Sequence, residues 1–385
     1  MRQAKNKKKH KGLRILLIIL LALLVLLGGT ATYVIITLSG HIKNLQRVDH
    51  DGVLYYAEYV GKYENNLIEL PLNFVRAGGC SAFLTQNENG DVITGRNYDL
   101  AHLDFDGNPT GLNVVLRMNP EGKYSSINVA DAAWVSVLKV PYVKGALDEG
   151  KTTHLFLAFL PYLCMDGINE KGLTASILAL DVKEGETAVY QDTPGLPVTS
   201  ITQLLRSALD NCATVDEVVE FARNHNMRNI VKRDYHLFVS DAGGTSAVLE
   251  WRNNELIVTY TDAVTNFYVG CDDAEDVYVD GSLKEKFPGP VRSLRDYHYG
   301  YGHGFNRFNT IVQQLDKHRI DSTSYMSEMS EQDAMKLLGS VAQNYDKNEV
   351  TSFTQYSEIF NNTEKTLIIS IMQDYANEYG FSFEK

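Results

Sequence analysis

The hydrophobic and polar positions of this chain form three patterns. Residues Ile15 to Leu38 are an almost uninterrupted apolar run. Beyond residue 80, short alternating or continuous apolar runs predict strands. Apolar residues at helical spacing predict helices at 199–212, 214–225, 305–318 and 330–343. The predicted strands are Leu112–Met118, Tyr124–Val129, Leu173–Leu180, His236–Ser240, Ser246–Trp251, Glu255–Tyr260, Asn266–Tyr268, Thr354–Phe360 and Thr366–Met372.

Capping sequences mark the start of two predicted helices. Thr214 is followed by Glu217, and Ser330 by Asp333, a spacing at which the first side chain caps the first turn. Short turns between neighbouring strands favour antiparallel hairpins. Hairpins interspersed with pairs of helices are typical of an α+β fold with helices packed over antiparallel sheets.

The apolar run is long enough to cross a membrane. As a helix it spans about 36 Å, against about 30 Å for a bilayer core. The first fourteen residues carry seven Lys or Arg and no acid, which predicts a cytoplasmic N-terminus. A cleavable signal peptide, cut near Gly28-Gly29-Thr30-Ala31, is the alternative, but the apolar sequence continues past that site. We therefore divide the chain into a basic cytoplasmic tail (1–14), a transmembrane anchor (15–38), an extracytoplasmic segment (39–79) and a folded domain (80–385).

Charge and composition narrow the classes of function. Hydrophobic residues make up 44% of the 385-residue chain and charged residues 22%, as in globular proteins. Without the seven basic residues of the tail, 29 basic residues remain against 48 acidic ones, a net charge of −19. The rest of the chain is therefore acidic enough to repel the phosphate backbone of a nucleic acid, and we expect no nucleic-acid partner.

Four cysteines in so long an exported chain do not form a disulfide framework. Cys212 falls on the apolar face of a predicted helix. Cys164 and Cys271 lie in apolar or mixed strands, so burial as free thiols accounts for them. Cys80 has no such explanation, and it begins the hairpin sequence CSAFLTQNENGDVITGRNYD.

The Asn89-Gly90 pair predicts a two-residue hairpin turn. Cys80 would then lie directly opposite Asp99, with Cβ atoms about 5 Å apart. Arg96, three residues from Asp99, would lie on the other face of a regular strand. Both can approach Cys80 only if the chain bends or bulges near Asn97-Tyr98, and we predict an irregularity there.

A thiol beside an arginine and a carboxylate is a candidate nucleophile, but the usual histidine base is missing. His102 is the nearest histidine and has no supporting pattern. Cleavage before Cys80 would supply an α-amine instead, with a pKa of about 7.7–8 against about 8.5 for the thiol. Gly79 lacks a Cβ, so its carbonyl can adopt a strained geometry within reach of the thiol. The alternative is a Gly-Gly turn followed by a buried thiol. A lipoprotein cleavage box is rejected, because such a box directly follows the apolar run and this sequence does not.

Cys80-Ser81 and Gly95-Arg96-Asn97-Tyr98-Asp99, with the arginine sixteen positions after the cysteine, resemble a known pattern. It is that of the choloylglycine hydrolase and penicillin V acylase group of N-terminal-nucleophile hydrolases, to which acid ceramidase and isopenicillin N acyltransferase are related. The resemblance extends over roughly residues 80 to 385. Its further segments are Asp166–Leu173, His236–Trp251, Val264–Asn266 and Gly304–Phe308.

The resemblance implies a four-layer αββα sandwich, two antiparallel sheets between helices, and a set of site residues. Cys80 is the nucleophile and its α-amine the base, with Asp99 orienting that amine. Arg96 stabilises the thiolate, and Arg307 pairs with Asp99. The Asn266 N–H donates to the oxyanion, a role worth about 3 kcal/mol. From the residues alone, Asn266 is a turn asparagine and Arg307 a cation on a helix surface.

Two departures qualify the resemblance. Ala179 stands where bile salt hydrolases have an asparagine and penicillin V acylases a tyrosine, so a second oxyanion contact and bile-salt specificity are not supported. Seventy-nine residues precede Cys80, as in members that mature by autoproteolysis. The resemblance therefore implies that residues 39–79 are a pro-segment and that cleavage falls between Gly79 and Cys80.

Together these features predict a single-pass membrane protein whose extracytoplasmic domain hydrolyses a linear amide C–N bond of a small molecule, without metal or cofactor. An N-acyltransferase using the same thioester chemistry is an alternative. A non-catalytic surface binding protein on the same fold is another, although such a module has no use for Cys80, Arg96, Asp99 and Asn266 together.

Overall fold

The computed structural model describes residues 40–65, 79–135, 159–180, 188–228, 234–269, 303–321, 326–345 and 352–384. Its strands are β1 (Ile42–Arg47), β2 (Leu54–Gly61), β3 (Gly79–Gln86), β4 (Val92–Asp99), β5 (His102–Leu103), β6 (Pro109–Thr110), β7 (Asn113–Pro120), β8 (Ser126–Asp131), β9 (Cys164–Asn169), β10 (Thr174–Leu180), β11 (Val198–Thr199), β12 (Asn226–Met227), β13 (Asp234–Ser240), β14 (Ser246–Arg252), β15 (Glu255–Tyr260), β16 (Ala263–Val264), β17 (Thr354–Asn361), β18 (Thr366–Ile371) and β19 (Glu378–Ser382). The helices are α1 (Ile201–Asn211), α2 (Val215–Arg223), α3 (His303–Lys317) and α4 (Glu331–Ser340), with short 3-10 helices at Ala132–Val135 and Leu160–Tyr162.

The predicted membrane anchor, residues 15–38, lies outside the described residues. Within the described part of the chain, no helix has both the length and the apolar character needed to cross a membrane.

Two large sheets dominate the fold. A nine-stranded sheet has the order β1-β2-β7-β8-β9-β10-β13-β14-β15, and a six-stranded sheet the order β16-β3-β4-β17-β18-β19. Within these two large sheets, neighbouring strands are antiparallel, as predicted, except that β2 runs parallel to β7. Two small two-stranded sheets, β5–β6 and β11–β12, lie beside them.

Helices cover the outer face of each sheet, and the inner faces of the sheets pack together. The helices α1 and α2 contact the nine-stranded sheet, while α3 and α4 contact the six-stranded sheet. Between the sheets, the Thr94 hydroxyl of β4 lies 2.6 Å from that of Ser240 in β13. All eight residues of β4 and all eight of β17 are buried, because these strands have a sheet on one side and a helix on the other. The predicted four-layer arrangement is thus observed.

The predicted caps are confirmed. The Thr214 hydroxyl accepts a hydrogen bond from the Glu217 N–H (3.3 Å) at the start of α2, and the Ser330 hydroxyl accepts one from the Asp333 N–H (3.1 Å) at the start of α4. These bonds satisfy backbone donors that the first turn of a helix leaves unpaired.

The predicted strand Asn266–Tyr268 is wrong. The nearest strand, β16, ends at Val264, and Phe267 instead packs edge-on against Phe308 of α3, with ring centroids 4.9 Å apart. Burial against a helix, with no strand pairing, therefore explains the apolar character of this segment. Cys164 and Cys212 are buried free thiols, as predicted, while Cys271 lies outside the described residues.

The segment before Cys80 contributes two strands that the sequence did not predict. Strand β2 pairs with β7 in continuous register from Leu54 opposite Asn113 to Gly61 opposite Pro120. Leu54 is fully buried, and burying a side chain of this kind stabilises a fold by about 1.5–3 kcal/mol. Residues 42–61 are therefore an integral part of the nine-stranded sheet.

Beyond β2, this segment is also tied to helix α1. The Tyr63 hydroxyl hydrogen-bonds to the Asp210 carboxylate and accepts a bond from the Arg206 Nε (3.0 Å). The Asn65 amide donates to the Gln203 carbonyl (2.8 Å). These contacts fasten the end of the segment to the outer helical layer.

Candidate active site

The β3–β4 hairpin closes with a five-residue loop. Gln86 pairs with Val92, and the Asn87 N–H donates to the Asp91 carbonyl (2.9 Å). The side-chain oxygen of Asn87 accepts from two backbone N–H groups of the loop at 2.9 Å each. Gly90 has a φ of 83°, a left-handed conformation that favours glycine. The predicted two-residue turn is wrong because Asn87 holds the chain in this longer loop.

The longer loop shifts the pairing by one residue. Cys80 lies opposite Tyr98, and Asp99 lies opposite Gly79, so the prediction that Cys80 faces Asp99 is wrong. Because a one-residue shift moves side chains to the other face, Cys80 and Arg96 now share one face of the hairpin. Asp99 lies on the opposite face.

The irregularity predicted near Asn97-Tyr98 is not found between β3 and β4, which pair in continuous register. The bulge lies instead in the neighbouring strand β17, between Thr354 and Tyr356, across from Tyr98 and Asp99. Arg96 approaches the cysteine without a bend in its own strand, because the register already places it on the thiol's face.

Arg96 lies beside the Cys80 thiol, between the two sheets. Its Nη2 atom is 4.0 Å from Cys80 Sγ and donates to the Ile177 carbonyl (2.6 Å). Its Nε atom lies 3.1 Å from the Asp166 carboxylate, and both side chains are fully buried. The guanidinium is thus fixed on three sides, with its charge facing the sulfur.

Asp99 is held by three donors on the other face of the hairpin. The Thr354 hydroxyl donates to one carboxylate oxygen (2.6 Å). The Gln343 amide and Arg307 Nη1 donate to the other, each at 2.9 Å. Asp99 reaches Cys80 through Arg307, because the same Nη1 also donates to the Cys80 carbonyl (2.9 Å). The pairing of Arg307 with Asp99 that the resemblance implied is therefore present.

The Cys80 nitrogen is held by Asn266. The Cys80 N–H donates to Asn266 Oδ1 (2.6 Å), which also accepts from Arg307 Nη2 (2.8 Å). Since both neighbours are donors, the oxygen of the Asn266 amide must be the atom that faces them. This is the intact chain, and a hydrogen bond from the cleaved α-amine to Asp99 stays a prediction.

Ala179 enters the site through its backbone. Asn266 Nδ2 donates to the Ala179 carbonyl (2.7 Å), which fixes the plane of the amide. The position that departs from the group in its side chain therefore orients Asn266 through its main chain. Donation by Asn266 to an oxyanion stays a prediction.

Lack of room for a side chain explains the glycine at position 79. Its backbone is not in the left-handed conformation that would favour glycine. A Cβ built there would lie 1.7 Å from Gln343 Nε2 and 2.9 Å from Arg307 Nη2. These separations are far below van der Waals contact. Only a residue without a side chain leaves room for the two groups that hold Asp99.

Burial governs the protonation of the site in the intact chain. It raises the pKa of the Cys80 thiol, and the Arg96 guanidinium opposes that shift. Burial likewise raises the pKa of Asp99, against the lowering effects of Arg307 and of the Thr354 hydrogen bond. Cys80 is only 4% exposed, so the intact chain holds its thiol protonated and largely covered.

Sequence reasoning missed several residues around the site. Gln343 carries no local signal, and Thr354 shows only as the first residue of a predicted strand. His102, which had no supporting pattern, lies 2.7 Å from an Asp131 oxygen that also accepts from the Tyr98 hydroxyl (2.8 Å). Tyr98, which lies opposite Cys80 in the hairpin, is thus connected through Asp131 to His102. Among the described residues, no group of three or more His, Cys, Asp or Glu side chains is placed to hold a metal ion.

Comparison with known proteins gives a family match and one curated relative. Residues 80–266 match the model of the linear amide C-N hydrolases, choloylglycine hydrolase family. The penicillin V acylase of Pectobacterium atrosepticum is 33% identical over 105 residues, which cover 25% of this chain and 27% of that protein. The chain thus matches about a quarter of the length of this relative.

Two solved structures are also similar. A variant of the conjugated bile acid hydrolase from Clostridium perfringens aligns with a TM-score of 0.47 and 15% identity, over 79% of this chain and 92% of that one. Penicillin V acylase from Agrobacterium tumefaciens aligns with a TM-score of 0.47 and 16% identity, over 80% and 87%.

The family match begins at Cys80 and ends at Asn266, the residue that holds the Cys80 nitrogen. Of the motifs that gave the resemblance, those from Cys80-Ser81 to Val264–Asn266 lie within this range, and Gly304–Phe308 lies beyond it. The resemblance is confirmed over residues 80–266, which match the model of the linear amide C-N hydrolases, choloylglycine hydrolase family.

Proposed function

We propose that this protein is a cysteine amidase that hydrolyses a linear amide C–N bond of a small-molecule substrate. The observation that carries the proposal is the convergence of three side chains on Cys80. Asn266 holds its nitrogen, Arg307 its carbonyl oxygen, and Arg96 lies beside its sulfur. A buried structural thiol has no need of polar groups fixed around its own backbone, whereas an N-terminal nucleophile does.

The reaction starts once the Gly79–Cys80 bond is cut, because the Cys80 nitrogen then becomes an α-amine. With a pKa of about 7.7–8, this amine accepts the thiol proton at neutral pH. The sulfur bonds to the carbonyl carbon of the amide, the C–N bond breaks, and the leaving amine takes up the proton. Water then hydrolyses the thioester, releasing the acid and restoring the thiol.

The charges that develop in these steps have partners in the site. Arg96 Nη2 lies 4.0 Å from the Cys80 sulfur, on which the negative charge of the thiolate forms. Asn266 supplies the amide that the family resemblance assigns to the oxyanion, a donation worth about 3 kcal/mol in comparable sites. Arg307, with Asp99 as its counter-ion, keeps the Cys80 backbone fixed while the sulfur moves.

We infer that the same thiol cuts the Gly79–Cys80 bond. The Cys80 sulfur attacks the Gly79 carbonyl, the acyl group moves from nitrogen to sulfur, and water hydrolyses the thioester. The products are a carboxylate at Gly79 and the free amine of Cys80. Close packing of Gln343 and Arg307 around Gly79 holds the scissile bond in place.

The cleaved pro-segment is proposed to stay bound and to keep the enzyme at the outer surface of the membrane through residues 15–38. Its strand β2 is paired along its whole length with β7, and Tyr63 is bonded to residues of α1. Cutting at position 79 leaves all of these contacts intact.

Mass spectrometry of the purified full-length protein tests the proposal. We expect a fragment that begins at Cys80 in the wild type and only intact chain in Cys80→Ala. Cys164→Ala, which removes another buried thiol, is the control and should cleave normally. A wild-type chain that stays intact yet hydrolyses amides at full rate would refute the mechanism.

A substrate panel on the cleaved protein tests the activity. Penicillin V, conjugated bile acids and other N-acyl amides are incubated with the wild type and with Cys80→Ser, and the released amine is measured. Hydrolysis of at least one of these amides that is lost in the variant is expected. No turnover of any amide by fully cleaved protein would contradict the assignment, and products formed only with an added amine acceptor would favour the acyltransferase.

A further inference from the structure

Three ionisable side chains lie fully buried where the two sheets meet. They are Arg96 of β4, Asp166 of β9 and Glu358 of β17, each with no exposed surface. Glu358 is directly opposite Arg96 in the β4–β17 pairing. Two acids thus share one buried cation beside the Cys80 thiol.

The hydrogen bonds around these acids are too few for two carboxylates. One Asp166 oxygen accepts from the Tyr356 hydroxyl (2.8 Å) and lies 3.1 Å from Arg96 Nε. Neither oxygen of Glu358 accepts a hydrogen bond from an N–H or O–H donor of any described residue. Two carboxylates have no proton to donate to each other, whereas a carboxylic acid next to a carboxylate has one.

Electrostatics favours the same arrangement. Removing a carboxylate from water costs several kcal/mol unless a cation and hydrogen bonds compensate, and two carboxylates that share a site do not both ionise easily. Burial raises the pKa of Glu358 well above its ordinary value, and the neighbouring Asp166 raises it further, while Arg96 opposes the shift. The ionisable groups that interact with Glu358 are Arg96 from β4, Asp166 from β9, Cys80 from β3 and Tyr356 from its own strand.

We propose that Glu358 and Asp166 share a single proton at neutral pH, so that the pair carries one negative charge and positions Arg96 beneath Cys80. Glu358 is the donor and Asp166 the acceptor, because Asp166 already receives the Tyr356 hydroxyl and the Arg96 Nε. With one counter-charge instead of two, the guanidinium keeps its positive field directed at the sulfur. This proton count goes beyond the proposed amidase activity and does not depend on cleavage.

The proposal is testable because either single substitution should leave one negative charge on the Glu358–Asp166 pair. In Glu358→Gln, Asp166 still carries the one negative charge; in Asp166→Asn, Glu358 loses its partner and ionises beside Arg96. Each single variant should leave the pH at which Cys80 becomes reactive within a few tenths of a unit of wild type. The double variant removes the remaining charge, and the pKa of the thiol should fall by at least one unit, an increase of about tenfold in thiolate below the pKa.

The measurement is the rate of iodoacetamide alkylation of the Cys80 peptide against pH, in full-length protein compared in the same cleavage state. Glu364→Gln, an exposed acid in the turn after β17, is the matched control for loss of a surface charge. If both acids are ionised in the wild type, each single variant will itself lower the pKa of Cys80, and the proposal fails. That result says nothing against amidase activity, which the substrate panel measures separately.

Infrared spectroscopy gives a second readout that needs neither cleavage nor activity. At neutral pH, the difference between wild type and Glu358→Gln should contain the C=O band of one protonated carboxylic acid. The band should also disappear in Asp166→Asn, which provides a second variant if the first folds poorly. A wild-type spectrum without a protonated carboxyl band would overturn the shared proton.

Discussion

Replacing Gly79 by alanine tests whether close packing holds the scissile bond. The new Cβ would lie 1.7 Å from Gln343 Nε2 and 2.9 Å from both Gln343 Cδ and Arg307 Nη2. Gln343 is the flexible partner, so it must swing away. That movement breaks its hydrogen bond to the Asp99 carboxylate (2.9 Å).

The cost follows from that one bond. A hydrogen bond to a charged group is worth about 1.5–3 kcal/mol, and each 1.4 kcal/mol is tenfold in rate. If the loss falls on the cleavage step, cutting should slow by about 10- to 140-fold. Displacement of Arg307, which also holds the Cys80 carbonyl, would add to this.

The assay is a time course of chain cleavage after cell-free synthesis, followed by gel electrophoresis and mass spectrometry. Gly380→Ala is the matched control, because a Cβ at position 380 meets no atom within 4 Å. Gln343→Ala should itself slow cleavage through loss of the same bond. Adding Gly79→Ala to Gln343→Ala should then cost little more, since the obstructing amide is gone.

Two results would refute this reasoning. One is cleavage of Gly79→Ala at the wild-type rate, which would show that the contact with Gln343 is irrelevant. The other is a full additional loss in the double variant, which would mean that glycine acts through backbone freedom instead of space.

Three further predictions concern single contacts. Burial raises the pKa of Cys164 to about 12 from an ordinary value near 9; the stabilisation that this thiol gives by staying protonated is therefore complete below pH 9 and is lost as the pH approaches 12. Denaturant unfolding should show this loss in wild type and not in Cys164→Ala, and equal pH dependence of the two would contradict it. Thr354→Val removes the 2.6 Å hydrogen bond to Asp99 and should lower the free energy of unfolding by about 1.5–3 kcal/mol; a change below about 0.5 kcal/mol, typical of an ordinary surface substitution, would argue against that bond. Tyr63→Phe loses the hydroxyl that contacts Asp210, so the cleaved segment should separate sooner on gel filtration in mild denaturant, and an elution profile identical to wild type would count against this contact.

Local sequence patterns predicted the starts of helices well, but they did not predict the register of the β3–β4 hairpin. The helix starts at Thr214 and Ser330 were readable because capping needs only residues three apart. The predicted register of the hairpin is wrong by one residue, because Asn89-Gly90 is a stronger turn signal than Asn87. The side chain of Asn87 sets the length of the loop. One residue was enough to exchange Asp99 for Tyr98 opposite Cys80.

Other parts of the site depend on topology, which no local pattern contains. Strand β1 has polar residues at an exposed sheet edge, and β2 finds its partner in β7 more than fifty residues later. Gln343 and Glu358 approach Cys80 only because helix α4 and strand β17 return to the hairpin late in the chain. In the described part of the chain, the side chains that hydrogen-bond to Cys80 are those of Asn266, Arg96 and Arg307, and all three are among the five residues found by motif.

The proposed cleavage before Cys80 would change how the parallel pairing of β2 with β7 contributes to stability. In the intact precursor the two strands are tethered, and their high effective concentration favours pairing. After cleavage they belong to separate polypeptides, so unfolding becomes dissociation and its midpoint depends on protein concentration. Dilution will then oppose reassembly, and the lifetime of the mature enzyme will be set by the rate at which β2 leaves the sheet rather than by an equilibrium. The proposed cleavage at position 79 would thus turn a reversible fold into one that has to be assembled before it is cut.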